Sequence, residues 1–165
     1  MASPATSTYL PTLEVPHLRE GVGQELQATL HELIDLSLIG KQLHWAIFGP
    51  LFRPLHLHLD ELVESWHELA DTLAERAVAL GFVPDGQASA VAAGSQLAPV
   101  ARGPLEDHLV VRALTHRVAE VSERARDRMN RIGDADLASQ DVLIEVVREL
   151  EKQQWMLRAQ LGEHA

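Results

Sequence analysis

Six residues between positions 56 and 75 carry side chains that can ligate a metal ion or move a proton: His56, Asp60, Glu64, His67, Asp71 and Glu75. Their steps of four, four, three, four and four are helical, so on a helix they share one face. A His–carboxylate pair one turn apart can chelate one ion. Neutral imidazole combined with carboxylate suits Fe, Zn, Cu or Ni better than a purely hard or purely soft set of ligands. A single pair of this kind is most often part of a solvated helix face, but six in register argue against that. Asp60 and Asp71 are 11 residues apart, about 16 Å at the α-helical rise, so one ion cannot use both ends of the stripe within one chain. The stripe is nonetheless palindromic: positions 56 and 75, 60 and 71, and 64 and 67 are each centred between 65 and 66. Two copies packed antiparallel about a two-fold axis there would set His56 and Asp60 of one chain against Glu75 and Asp71 of the other, twice over. His44, beside Trp45, is a further candidate; by itself it reads as a buried, hydrogen-bonded core histidine.

The elements that would position these residues are legible from periodicity. Residues 1–17 contain three prolines with Ser and Thr and read as an extended arm; residues 18–165 read as one domain. A long helix over 18–47 carries Val22, Leu26, Leu30, Leu33, Ile34, Leu36, Leu38 and Leu43 on its apolar face, and Gly49-Pro50 interrupts it. The next helix starts between Pro50 and Pro54 and runs to about 80. Leu55, Leu59, Leu62, Trp66, Leu69, Leu73, Ala77 and Leu80 form its core stripe, and Gly81 is its stop. The stretch 81–103 is too long for a plain loop and reads as a crossover, with room for a short helix at Gln87–Gly94. A third helix is expected over 104–131, opening with Pro104, and a fourth over 138–161, capped by Asp136 or Ser139. No β-strand pattern is visible. The sum is an all-α, ferritin-like four-helix bundle with a long second-to-third-helix crossover carrying a short helix.

Composition narrows the chemistry further. A chain of 165 residues fits one domain, and the absence of cysteine excludes disulfides and thiolate metal sites. Lys and Arg total 14 against 24 Asp and Glu, a formal charge of −10, which attracts cations and repels nucleic acid. Neither a signal-peptide pattern nor a long apolar run is visible, so the expectation is a cytoplasmic protein, at most nucleoid-associated.

The stretch from Lys41 to Gly81 resembles the Dps family (DNA-binding protein from starved cells) of the ferritin superfamily. The resemblance rests on Lys41-Gln42-Leu43-His44-Trp45, Gly49-Pro50-Leu51-Phe52, Leu55-His56 with Asp60, Asp71-Thr72-Leu73-Ala74-Glu75-Arg76 and Leu80-Gly81. With the helix plan and Trp155, the likeness extends over nearly the whole chain. It implies a homo-dodecameric shell built from two-fold dimers. It also implies a di-iron ferroxidase centre between subunits, with His44, His56 and Asp60 from one chain and Asp71 and Glu75 from the other. The implied activity is Fe(II) oxidation by hydrogen peroxide, or oxygen, with ferric storage inside the shell and protection against oxidative stress. Trp45 and Arg76 are candidates for orienting the ligands, Trp45 being equally readable as core. Asp141, near Asp134 and Asp136, is implied as pore-lining, although first-turn electrostatics favour Asp there anyway. Glu61, Glu64 and Glu68 would nucleate mineral or form a plain solvated face.

The chain departs from the family's DNA-binding members: its first 18 and last seven residues hold no Lys or Arg. Weak or no DNA binding is therefore expected, because phosphate neutralisation drives such binding. The alternative function is a DNA-condensing nucleoid structural protein with little ferroxidase activity. A ferritin-type site inside one bundle would need a second Glu-x-x-His, which the fourth helix lacks, although Glu64 and His67 have the spacing. Zinc or another divalent metal could compete for the same ligands. No role is assigned to His17, His31, His58, His67, His108, His116 or His164.

Overall fold

The apolar stripe of the second long segment becomes a continuous buried seam, with Leu55, Leu59, Leu62, Trp66, Leu69, Leu73, Ala77 and Leu80 all inside. In the computed structural model, which describes residues 15–162, that segment is α2 (Phe52–Ala79). It lies among α1 (Pro16–Ala46), α4 (Asp107–Ile132) and α5 (Leu137–Gln160), and a short α3 (Ala88–Gly94) sits in the crossover. α1 packs on α2, α4 packs on α5, and contacts of α1 with α4 and α2 with α5 close the bundle. The fold is all-α and ferritin-like, as the helix plan predicts. No helix is long and apolar enough to cross a membrane among the described residues.

Several boundaries differ from the sequence expectation for physical reasons. α1 begins at Pro16, inside the segment read as an arm, and the rest of that arm, residues 1–14, lies outside the described residues. Proline fits there because the first-turn N–H has no helical partner. On α1, Leu38 is 59% exposed and does not belong to the core face. It follows buried Leu36 by two residues, about 200° around the helix. The third long helix starts at Asp107, not Pro104. Leu105 and Glu106 form β2 and pair in parallel with Ile47 and Phe48, which form β1. A two-residue ladder is too short to show alternation, so no strand signal was available.

Two glycines set the ends of α2. Gly49 has φ +130°, and a Cβ there would lie 2.6 Å from the Asp107 carboxylate, so only glycine lets the α1–α2 turn approach α4. The same carboxylate accepts the N–H of Leu51 at 2.9 Å and of His108 at 2.7 Å. At the other end Gly81, with φ +76°, closes α2 in a Schellman motif. There the Phe82 N–H donates to the Ala77 carbonyl at 3.0 Å, and the Gly81 N–H donates to the Val78 carbonyl at 2.8 Å.

Polar ties fix helix rotation inside the bundle. The indole N–H of Trp66, a fully buried ring, donates to Gln153 Oε1 at 2.8 Å and locks α2 to α5. At the start of α5, Asp136 takes the N-cap position. Its Oδ2 accepts from Arg76 Nη2 on α2 at 2.6 Å and from the Ser139 hydroxyl. Burial works against the Asp136 charge, but the Ser139 and Arg76 bonds prevail and hold its carboxyl below the usual range. A depressed carboxyl stabilises the fold above its unfolded pKa, near 3.9, and that contribution disappears as pH falls through the folded value. Asp136→Asn is therefore expected to cost roughly 1–3 kcal/mol at pH 7 and less at pH 3. Urea unfolding at the two pH values measures this; an equal cost at both would contradict the ionic role.

Candidate metal centre

The tight α1–α2 turn brings His44, in the last turn of α1, against His56, one turn into α2. Their hydrogen bonds are reciprocal. His44 Nδ1–H donates to the His56 carbonyl at 3.0 Å, and His56 Nδ1–H donates to the His44 carbonyl at 3.2 Å. The rings stack with centroids 3.6 Å apart and planes 25° from parallel. A carbonyl can only accept, so each Nδ1 carries a proton, and Nε2 is the nitrogen that a neutral ring would offer to an ion. A backbone carbonyl on the distal ring nitrogen is the usual way to fix a ligating imidazole. His44 is buried and His56 half-buried, with the Phe52 ring 5.0 Å from that of His56.

Asp60, one turn past His56, completes the group. Ligand atoms of His44, His56 and Asp60 all lie within 4.8 Å of one another, the one such trio of His or carboxylate residues among those described. Asp60 Oδ1 lies 3.2 Å from His44 Nδ1 and accepts a hydrogen bond from Lys41 Nζ at 2.7 Å. The Lys41 bond, aided by the nearby imidazoles and opposed by partial burial, holds the Asp60 carboxyl below the usual range. Lys41 is part of the Lys41–Trp45 motif. Its signal in the sequence was its place one turn before His44, on a helix face directed at α2.

Asp71 and Glu75 are not brought to this trio. They sit on the same helix, both exposed, about 16 Å further along in the case of Asp71. Neither makes a side-chain hydrogen bond or ion pair with the described residues, and the same holds for Glu64 and His67 between them. His44 of α1 thus joins His56 and Asp60 at one end of the α2 stripe, while Asp71 and Glu75 lie exposed at the other.

The remaining candidates fall elsewhere. Trp45 is 69% exposed, so it is not core. With Phe48, Leu51, Phe52 and Leu57, each nearly half exposed, it forms an apolar surface at the α1–α2 turn, the kind that marks a protein–protein contact. Arg76 does not orient the trio, because Asp136 and Ser139 engage its guanidinium. Asp141 is exposed and lines an open groove of about 800 Å³ between α2 and α5, with Glu68, Glu145, Glu149, Arg148 and Lys152. None of the trio lines that groove. Asp134 and Glu61 are exposed as well. His58 meets Gln160 at 3.4 Å, His108 lies 3.5 Å from Glu106, His116 lies 3.6 Å from Glu120, and His31 bonds the crossover at the Asp85 carbonyl.

A model of the ferritin-like domain family matches residues 23–165. The chain is 36% identical over 153 residues to DNA protection during starvation protein 2 of Deinococcus radiodurans, covering 93% of this chain and 63% of that protein's length. It is 37% identical over 142 residues to DNA protection during starvation protein of Mycolicibacterium smegmatis, covering 85% of this chain and 76% of the relative. Its fold is similar to that of Dps from Microbacterium arborescens in the high iron form. The TM-score there is 0.85 at 32% identity, with 91% of this chain and 98% of that one covered. The chain therefore belongs to the ferritin-like domain family and, within it, to the Dps proteins.

Proposed function

We propose that two copies of this chain complete the centre between them and oxidise Fe(II), within a twelve-subunit shell that stores the ferric product and limits oxidative damage. The observation that carries this reading is the pre-oriented trio of His44, His56 and Asp60 at one end of a ligand stripe. The other end offers exposed Asp71 and Glu75 with no partner of their own among the described residues. An isologous antiparallel pairing of α2 supplies each trio with the other chain's acids, giving two equivalent sites. The apolar surface around Trp45 and Phe52 flanks the trio, as an interface enclosing it requires. The Microbacterium relative, similar over nearly its whole length, has been solved in a high iron form.

In this reading iron is the substrate. The imidazoles offer Nε2 to Fe(II) without adding charge, and the carboxylates hold both oxidation states while offsetting their charge. Lys41 keeps Asp60 ionised and aimed until iron arrives. Two Fe(II) each give one electron to hydrogen peroxide, whose O–O bond breaks; with two protons the products are two Fe(III) and two waters, and no hydroxyl radical leaves. Twelve chains, dodecameric assembly and a cytoplasmic location belong to this proposal. So does Asp141 as a pore residue.

The test loads purified protein with Fe(II) anaerobically, then adds peroxide at half the iron concentration. Fast growth of ferric absorbance with the product kept soluble is expected; a trace no faster than buffer removes the oxidation and leaves a shell holding another metal such as zinc. The same preparation is expected to leave duplex DNA unshifted in a low-salt gel at neutral pH. The chain's formal charge of −10 repels phosphate. A tight shift there would favour the DNA-condensing alternative.

A further inference from the structure

We infer that Glu64 and His67 from each of two chains form an additional divalent-cation site on the two-fold axis, midway between the two proposed oxidation sites. The inference rests on the antiparallel α2 pairing proposed above. Both side chains are exposed, and neither makes a hydrogen bond or ion pair with the described residues. At 100° per residue the six residues from His56 to Glu75 fall within an arc of about 100°, with Glu64 and His67 inside its limits. Glu64 and His67 are about 4.5 Å apart in rise, and the palindrome's centre lies between them. A two-fold axis at that centre sets Glu64 of one chain against His67 of the other and repeats the contact, so four side chains converge within one helical turn. Each flanking Asp60–Asp71 contact is centred about 8 Å from the axis along the helix, one turn beyond Glu64 and His67.

The chemistry favours a cation over a simple ion pair. Each stripe carries four carboxylates, Asp60, Glu64, Asp71 and Glu75, and pairing two stripes brings eight together. Such a surface accumulates cations. Two Glu and two neutral His form a four-ligand set of net charge −2, which one divalent ion neutralises. The mixed nitrogen and oxygen ligands at tetrahedral number fit a zinc-like ion better than calcium or magnesium, which take oxygen ligands at higher number. The Ser65 hydroxyl, between the two residues, bonds the Leu62 carbonyl within α2, leaving the stripe to Glu64 and His67.

Co(II) is the probe, because its visible bands intensify in four-coordinate sites. Assembled, metal-free protein carrying His56→Ala and Asp71→Ala, which disable the proposed oxidation sites, is titrated with Co(II) alone. About half an equivalent per chain is expected, one ion per two-fold, with intense tetrahedral bands. Adding His67→Ala abolishes the bands, and Glu64→Gln weakens binding at least about tenfold. In the otherwise native chain, His67→Ala removes the same half equivalent and leaves peroxide-driven iron oxidation intact. Binding unchanged by His67→Ala, a full equivalent per chain, or no Co(II) bound overturns the axial site. Light scattering and the Asp71 dependence of oxidation are read in parallel. If the protein assembles and Asp71 is needed, only the axial site has failed; if either is lost, the underlying pairing has failed and the axial site with it.

Discussion

Co-expression of His56→Ala chains with Asp71→Ala chains will restore about a quarter of native iron oxidation, although each variant by itself is nearly inactive. Removing groups that merely orient ligands typically costs 10–100-fold in metal affinity or activity, so removing a ligand is expected to cost at least that much. In a mixed pair one site lacks both residues, and the other keeps His56 from one chain and Asp71 from the other. Random pairing makes about half the dimers mixed, each with one whole site of two, hence the quarter. The geometry within one chain makes this decisive. His56 and Asp71 are 15 residues apart on one straight helix, roughly 22 Å in rise, and an intrachain site cannot join them. A mixture no more active than the separate variants contradicts the shared site. Variants that keep native rates on their own contradict these residues as ligands. Because His56 and Asp71 are half-buried and exposed respectively, the substitutions leave the bundle core untouched, and circular dichroism should not change.

Glu32→Gln will produce the largest stability loss of any single conservative change in the bundle, about 3–5 kcal/mol. Glu32 is fully buried in α1 and faces two arginines of α4. Arg128 Nη1 donates to its Oε2 at 2.5 Å, and Arg124 Nε donates to its Oε1. Arg128 is itself buried, and Arg124 Nη2 is enclosed without any hydrogen-bond partner. One carboxylate therefore already offsets two guanidinium groups. Neutralising it leaves a buried cation with no counter-charge, and breaking such pairs costs far more than the pair contributes net. The apparent melting temperature should fall by roughly 6–20 °C at the usual conversion for a chain of this size. Replacing all three residues by apolar ones of similar volume should recover most of the loss, since a well-packed hydrophobic substitute is often neutral or better. A melting temperature within 2 °C of native for Glu32→Gln would show that Glu32 is not the counter-charge assumed here.

The same contrast between local pattern and distant contact runs through the molecule. The seam from Leu55 to Leu80, the stop at Gly81 and the crossover with its short helix were readable because each depends on residues within a few turns of one another. Periodicity and a glycine at positive φ are local facts. The stripe from His56 to Glu75 was readable on the same ground, and so were the ligand types and their symmetry. Pro104 misled because helix-start chemistry is also local, whereas the pairing of Leu105 with Ile47 is made by chain segments 58 residues apart. Of the two readings of Trp45, the core one failed because a large apolar ring is buried on average, and nothing nearby in sequence says that this one faces outward.

By itself the sequence determined that this is a helical bundle with one face of α2 lined by His and carboxylate side chains, since 3.6-residue periodicity needs no knowledge of the other helices. The tertiary structure decided which of the candidate side chains meet: His44 and His56 exchange Nδ1–H bonds across the turn, Lys41 holds Asp60, and Asp71 and Glu75 stay apart from them. It also decided that Glu32 of α1 would find Arg124 and Arg128 of α4, 92 and 96 residues away. The physical reason is that such contacts depend on the rotation and register of one helix against another. Packing of the whole core sets those, and no window along the chain contains them.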